Sequence, residues 1–311
     1  MDTLESLRRK LAGAGDLKSV VRTMKTMAAS NIGQYESAVN SLGDYYRTVT
    51  LGVIAFFREE NINLNSEDTI PKKTDSKSIC AIVFGSDQGL VGPFNDSLSD
   101  FVSNSLQEFP GEKEIWVVGE RIQFRLLDLG FDITKLFSVP NSVNAISVLV
   151  REILIKSLEN FETENLKEYY LFHNQPKSAT GYKPVMQNLL PLDKKWVHIL
   201  GVQDWPTKNL PQVAGGKSST LKALIREFLF VSLFKASAES SVSENSSRLA
   251  AMQRAEKNID EMLDDLGHKF HQMRQGAIDE ELFDLISGFE ALNEDSNVRT
   301  NKSAEIFGKK N

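Results

Sequence analysis

The sequence predicts an α/β fold in two parts. One is a long antiparallel coiled coil of N- and C-terminal helices, and the other is a small open α/β domain, Rossmann-like in its grammar, carried between them. Three observations predict this. Apolar residues recur every seven positions over residues 1–58 and again over residues 217–292. Short β-branched runs alternate with helical stretches over residues 70–216. No proline follows Pro211, so nothing in the last hundred residues breaks a helix.

In the first segment one heptad column holds Leu7, Ala14, Val21, Ala28, Tyr35, Leu42, Val49 and Phe56. The second holds Leu4, Leu11, Lys18, Lys25, Ile32, Val39, Tyr46 and Val53. Such spacing makes a narrow apolar seam, the way one helix packs along another. Lys18 and Lys25 interrupt the second column, and Leu17, Met24 and Met27 are expected to carry the apolar character sideways there. Gly13 and Gly15 each cost about 1 kcal/mol relative to alanine in a helix, which predicts a bend or loosened turn near Asp16.

The middle segment reads as strands at 78–84, 115–118, 169–173 and 185–190, with helices near 94–108, 121–129 and 143–158. Strand and helix alternating at this spacing build an open sheet with helices on its faces. A loop rich in Pro, Gly and Ser, residues 204–219, closes the domain. The final helix opens with Leu221, Leu224, Ile225, Phe228 and Leu229 and continues through Val242, Leu249, Met252, Ile259, Leu263, Leu266, Phe270 and Met273. Ile278, Leu282, Leu285, Ile286 and Phe289 extend it. About 75 helical residues reach roughly 110 Å, so this arm needs a partner along its length. A compact domain brings its two ends close together, which lets the arms pair antiparallel with the C-terminal one protruding. Residues 293–311 form a polar tail.

Composition excludes several classes. The chain has 311 residues, is 41% apolar and 25% charged, and carries a net charge of −6, which argues against general binding to nucleic-acid phosphates. The one cysteine, Cys80, lies in the apolar run 79–84 and reads as a buried core thiol rather than a reactive one. No apolar stretch approaches the roughly 20 residues of a membrane span, and Met1-Asp2-Thr3-Leu4-Glu5 does not open a signal peptide. The expectation is a cytosolic protein, or one held at a membrane through a partner.

Four features tempt a ligand assignment. Gly216-Lys217-Ser218 resembles the end of a phosphate-binding loop, but the glycine required five residues earlier is Pro211, so the Ser-Ser pair reads better as a helix cap. The glycines of Gly85-Ser86-Asp87-Gln88-Gly89-Leu90-Val91-Gly92 follow a strand yet lack dinucleotide spacing, and a tight strand-to-helix turn is the favoured reading. His268 and His271, with Asp264 a turn before, lack further metal ligands and read as surface residues. Arg8, Arg9, Lys10, Lys18, Arg22 and Lys25 form either a solvated face or a contact with an acidic loop on a partner. No catalytic constellation is present, and neither a cofactor nor a metal is expected.

Several blocks carry a family resemblance. Val20-Val21-Arg22-Thr23-Met24-Lys25-Thr26-Met27-Ala28-Ala29-Ser30 resembles the I-T-K-A-M-K-M-V-A-A-S signature of the γ subunit of F-type ATP synthases. Ser86-Asp87-Gln88-Gly89-Leu90-Val91-Gly92-Pro93-Phe94-Asn95 is similar to that family's S-D-R-G-L-C-G-G-x-N turn. Ser243-Glu244-Asn245-Ser246-Ser247-Arg248-Leu249-Ala250-Ala251-Met252 resembles S-E-x-A-A-R-M-x-A-M, and the stretch from Arg274 to Gly288 resembles R-Q-A-x-I-T-x-E-L-x-E-I-V-x-G. The opening ten residues look most like the alternative N-type branch, some of whose members are thought to pump sodium.

The resemblance implies a rotor with no catalytic residues of its own. Its coiled coil would enter a ring of α and β subunits, and its globular domain would sit on the membrane c ring beside the ε subunit, at the cytoplasmic face of a bacterial or archaeal inner membrane. By position, Met24 and Lys25 would lie at the neck of the shaft near Arg248. Gln275 and Asp279 would face the β subunit's catch region, with Glu281 bracing that contact. Asp279 departs from the family's usual Thr, and a carboxylate cannot donate the hydrogen bond a hydroxyl would. The tail after Leu292 is either an inert extension or one that protrudes from the catalytic ring. The rival readings are a non-rotary coiled-coil scaffold, which predicts a homodimer, and an enzyme using the turn at residues 85–95.

Overall fold

The computed structural model describes residues 3–59, 78–162, 168–177, 181–190, 209 and 216–307. Its elements in chain order are α1 (Leu4–Glu59), β1 (Ser78–Phe84), α2 (Phe94–Gln107), β2 (Glu112–Val118), α3 (Glu120–Asp128), β3 (Ile133–Phe137), α4 (Val143–Glu162), β4 (Glu168–Pro176), β5 (Tyr182–Leu190) and α5 (Lys217–Phe307). The chain divides into two compact units, Met24–Gln253 and the pair of segments Met1–Thr23 and Arg254–Asn311. Most of the loop expected at residues 204–219 lies outside the described residues.

The larger unit is built on a five-stranded sheet of order β3-β2-β1-β4-β5. β1 pairs parallel with β2 and with β4, β2 pairs parallel with β3, and β5 closes one edge antiparallel to β4. Six consecutive residues of β1, Ile79 to Phe84, are buried, because a central parallel strand is covered on both faces. Side chains alternate between those faces. Cys80, Ile82, Phe84, Trp116 and Leu171 pack with Ile146, Val150 and Ile153 of α4, with Tyr35 and Val49 of α1, and with Phe228 and Val231 of α5. Ile79, Ala81, Val83, Ile115 and Phe172 pack the other way, on Leu98, Val102 and Leu106 of α2 and Ile122 and Leu126 of α3. Cys80 is wholly buried, as its apolar run predicted.

β3 is an element that pattern reading missed. Its five residues sit at the sheet edge with only Phe137 buried, and a lysine stands at its centre. That lysine is accommodated by a cation–π contact, Lys135 Nζ lying 4.2 Å from the Trp116 ring centroid.

The smaller unit pairs the start of α1 with α5 from Arg254 onward. Lys18 bridges Asp260, and Arg22 bridges Glu256 at 2.7 Å. Four residues up one helix match four residues down the other, so the pair runs antiparallel. Leu7, Ala14 and Val21 of the first heptad column are buried, as is Ile259 across the seam. Two expectations are corrected here. Leu17 and Met27 are more than half exposed and do not widen the seam; Lys18 stays in its column and meets a carboxylate across it. Of the basic face, Lys18 and Arg22 are tied to the chain's own α5.

α1 is assigned as helix without interruption through Gly13 and Gly15, so the hydrogen-bonded turns near Asp16 are intact. A Cβ added at either glycine meets nothing within 4 Å. Replacing both with alanine is therefore expected to stabilise the helix by about 1 kcal/mol per site, read as slower amide exchange over residues 10–20. Unchanged exchange there would refute it.

α5 outruns α1. Continuing the ion-pair register places Leu4, the first helical residue of α1, opposite Arg274. From His271 to Phe289 every residue of α5 is exposed. Ile278, Leu282, Leu285, Ile286 and Phe289 recur there at helical spacing and form an apolar stripe without a described partner. Gly216 precedes the first residue of α5, and Ser219 Oγ donates to its carbonyl at 2.8 Å. The Ser-Ser pair thus lies inside the first turn and does not cap it from outside.

Candidate functional site

Among the described residues, two places adjoin the ends of the strands: the crevice at the C-terminal ends of the parallel strands, and a cavity beside it. In a doubly wound sheet ligands bind where connections leave in opposite directions, here between β1 and β4. Residues 85–95, which follow β1, satisfy their polar groups among themselves and their neighbours. Ser86 N–H donates to Asn95 Oδ1 at 3.2 Å, Asn95 Nδ2 donates to Ser86 Oγ at 2.8 Å, and Ser86 Oγ donates to the Gln88 carbonyl at 3.0 Å. A Cβ on Gly85 would fall 2.2 Å from Ile122, so glycine is required for α3 to lie this close to the strand.

Asp87 has a comparable internal task. α3 receives no side-chain cap from its own Gly119. Asp87 Oδ1 instead accepts from Glu120 N–H at 3.0 Å, and Oδ2 accepts from Val139 N–H at 2.9 Å. A carboxylate on the exposed donors at a helix N-terminus is a favourable arrangement. The turn that stood as a candidate ligand loop is thus a set of internal ties. α5 covers the crevice beside it: Ser240 Oγ donates to the Phe84 carbonyl at 3.1 Å, and Ser243 Oγ donates to the Asn174 carbonyl at 2.8 Å.

The cavity, of about 350 Å³, lies between α1, α5 and the loops that follow β1 and β3. Met24, Asn31 and Tyr35 line it from α1, Glu244 and Arg248 from α5, and Asp87 and Pro140 from the loops. Tyr35 Oη donates to the Pro140 carbonyl at 3.3 Å, and Asn31 Nδ2 donates to Asn245 Oδ1 at 3.3 Å. Arg248 and Glu244 form a nearly buried ion pair at 2.7 Å. Burial pushes the Glu244 carboxyl above its ordinary range; Arg248 offsets part of that, and the charge of Asp87 adds to it. Burial likewise raises the Tyr35 phenol. Arg248 Nε is buried with no hydrogen-bond partner among the described residues.

Met24 and Arg248, 224 positions apart in the chain, therefore stand on the wall of one cavity. Lys25 is half-buried on α1 and is not among the lining residues. Gln275, Asp279 and Glu281 are exposed on α5. His268 and His271 are exposed too, and among the described residues no three or more His, Cys, Asp or Glu side chains cluster as a metal site would need. Sequence reasoning did not find the buried pair of His173 and Glu239, whose Nε2 and Oε2 are 2.9 Å apart. Only the fold brings strand β4 against the middle of α5, and no local spacing announces it.

Long N- and C-terminal helices flanking a small α/β domain define the structural class of this protein. The family model described as ATP synthase matches residues 3–292, and the chain belongs to that family. It is 27% identical over 307 residues to the ATP synthase gamma chain of Syntrophus aciditrophicus, covering 94% of this chain and 99% of that one. It is 26% identical to the gamma chain of Pelagibacter ubique, covering 94% and 100%. Among solved structures it superposes on a chain of the Euglena gracilis mitochondrial ATP synthase OSCP/F1/c-ring with a TM-score of 0.58, at 17% identity and covering 93% and 94%. A chain of the Tetrahymena thermophila central stalk and c ring gives 0.56, at 19% identity and covering 76% and 99%.

Proposed function

We propose that this chain is the central-stalk rotor subunit, the γ chain, of an F-type ATP synthase. It couples ion flow through a membrane ring to ATP synthesis or hydrolysis at a ring of α and β subunits. The observation that carries this is the bare end of α5. Beyond the reach of α1 it presents Ile278, Leu282, Leu285, Ile286 and Phe289 to solvent, an apolar face that calls for a socket. A closed ring around the helix supplies one and leaves the shaft free to turn within it. ATP chemistry belongs to the β subunits.

On this reading Met24, Lys25 and Arg248 belong to the neck where shaft meets ring, and the shared cavity of Met24 and Arg248 supports that grouping. Gln275 and Asp279 face a β subunit from the exposed part of α5, and Glu281 braces the contact. The ε subunit and the c ring hold the α/β domain. No described helix is long and apolar enough to cross a membrane, so attachment runs through the c ring, at the cytoplasmic face of an inner membrane. The coupling ion is set by that ring.

Co-expression with candidate α and β subunits tests the proposal. A stable complex with ATPase activity is expected. A folded chain that joins no such complex, or that purifies as a stable homodimer, would sink it and favour a scaffold.

A further inference from the structure

We infer that Ser240, Ser243 and Ser247 of α5, together with Glu239, form the joint through which turning force passes between the α/β domain and the shaft helix. This rests on the rotor reading above and assigns it a torque-bearing contact. The three serines stand three and four residues apart, which puts them on one face of the helix. Ser240 Oγ donates to the carbonyl of Phe84, the last residue of β1, at 3.1 Å. Ser243 Oγ donates to the carbonyl of Asn174 in β4 at 2.8 Å, and Ser247 Oγ donates to the carbonyl of Val91, just before α2, at 2.5 Å. All three serines are buried. One residue before the first of them, Glu239 meets His173 at 2.9 Å and accepts from Gln175 Nε2 at 3.3 Å, both side chains coming from β4.

These contacts occupy the place where a doubly wound sheet would bind a ligand. The carbonyls of Phe84 and Asn174 in β1 and β4, which would otherwise face a ligand or water, accept from α5, as does that of Val91 in the turn after β1. Apolar packing is non-directional and does not by itself aim a helix at particular backbone atoms. Hydrogen bonds from three points along two turns, aimed at fixed backbone atoms, resist sliding and rolling. Serine is a poorer helix former than alanine, so a buried run rich in serine at the centre of a long helix calls for such a role. The small side chains also let α5 lie close against the strand ends.

The test uses the assembled complex in lipid vesicles, with ATP hydrolysis and ATP-driven ion uptake measured on the same preparation. With S240A/S243A/S247A, hydrolysis is expected to stay within about twofold of wild type, while ions moved per ATP against an opposing gradient fall about threefold or more as the joint slips under load. An unchanged ratio, or hydrolysis and uptake falling together, would overturn the inference and leave the serines as fold stabilisers. If the triple variant does not assemble, S243A and S243T decide. A lower ratio for S243A that S243T restores supports the joint, and equal ratios for the two refute it. A wild-type complex that hydrolyses ATP but never pumps would instead count against the rotor reading itself.

Discussion

Replacing Gly119 with alanine is expected to destabilise the α/β domain by about 3 kcal/mol or more. Two effects add. Gly119 sits at φ +116°, which an L side chain rarely adopts. Its added Cβ would also fall 2.7 Å from the Ser86 carbonyl oxygen and 2.9 Å from the Ser86 nitrogen. These are backbone atoms and cannot swing aside. Ser86 is held where it is because its carbonyl accepts from Arg121 N–H at 2.9 Å, and Gly119 itself donates to the Phe137 carbonyl at 2.9 Å. The strand end, the start of α3 and the edge strand β3 would all have to move.

Gly130 separates the two effects. It has φ +84° at the end of α3, yet a Cβ there meets nothing within 4 Å. Gly130→Ala should cost about 1 kcal/mol, the backbone term alone. Denaturant unfolding followed by tryptophan fluorescence and circular dichroism measures both variants. Equal losses at the two positions would show that the contact with Ser86 carries no weight.

The parts of this fold that were legible in the sequence are those where one local pattern meets one environment. In the heptad column from Leu7 to Phe56 every member but Leu42 is buried, so its period survives in the structure although its neighbours change along its length. β1 is buried on both faces and reads as an unbroken apolar run. β3 failed to register because an edge strand needs little apolar character, and Lys135 is held by the Trp116 ring of its partner strand β2. Lys18 looked like a flaw in the seam for a similar reason, since its partner Asp260 lies 242 positions away.

The serines gave little signal, although Ser243 opens one of the family blocks. Ser240, Ser243 and Ser247 are polar residues in a helix, and their helical spacing acquires meaning only once the ends of β1 and β4 are known to lie beneath them. The candidate site was legible through a different route. The family blocks suggested Met24 and Arg248 as neighbours and both line one cavity, whereas the burial of Glu244 beside Arg248 depends on depth. A sequence does not display depth.

That carboxylate underlies the second large effect. Arg248→Met should destabilise the unit by about 3–5 kcal/mol, because it strands Glu244 as a buried charge without its partner. The penalty should depend on pH, and its sign follows from the direction of the shift. Glu244 is raised above its ordinary value of 4.5 when folded, so the folded state binds the proton more tightly than the unfolded chain. The stability this contributes is fully present below the unfolded value and is lost as pH rises through the folded one. Arg248 opposes that loss by favouring the ionised form, and Asp87 works against it. Removing Arg248 raises the folded value further, so the variant's deficit should be smaller at pH 5 than at pH 8. Replacing both, as E244Q/R248M, removes the charge along with its partner and should recover most of the lost stability. Denaturant melts of the wild type, E244Q, R248M and E244Q/R248M at the two pH values complete the cycle. A deficit that does not change with pH, or a double variant no better than Arg248→Met, would mean that Arg248 acts by packing and not by its charge.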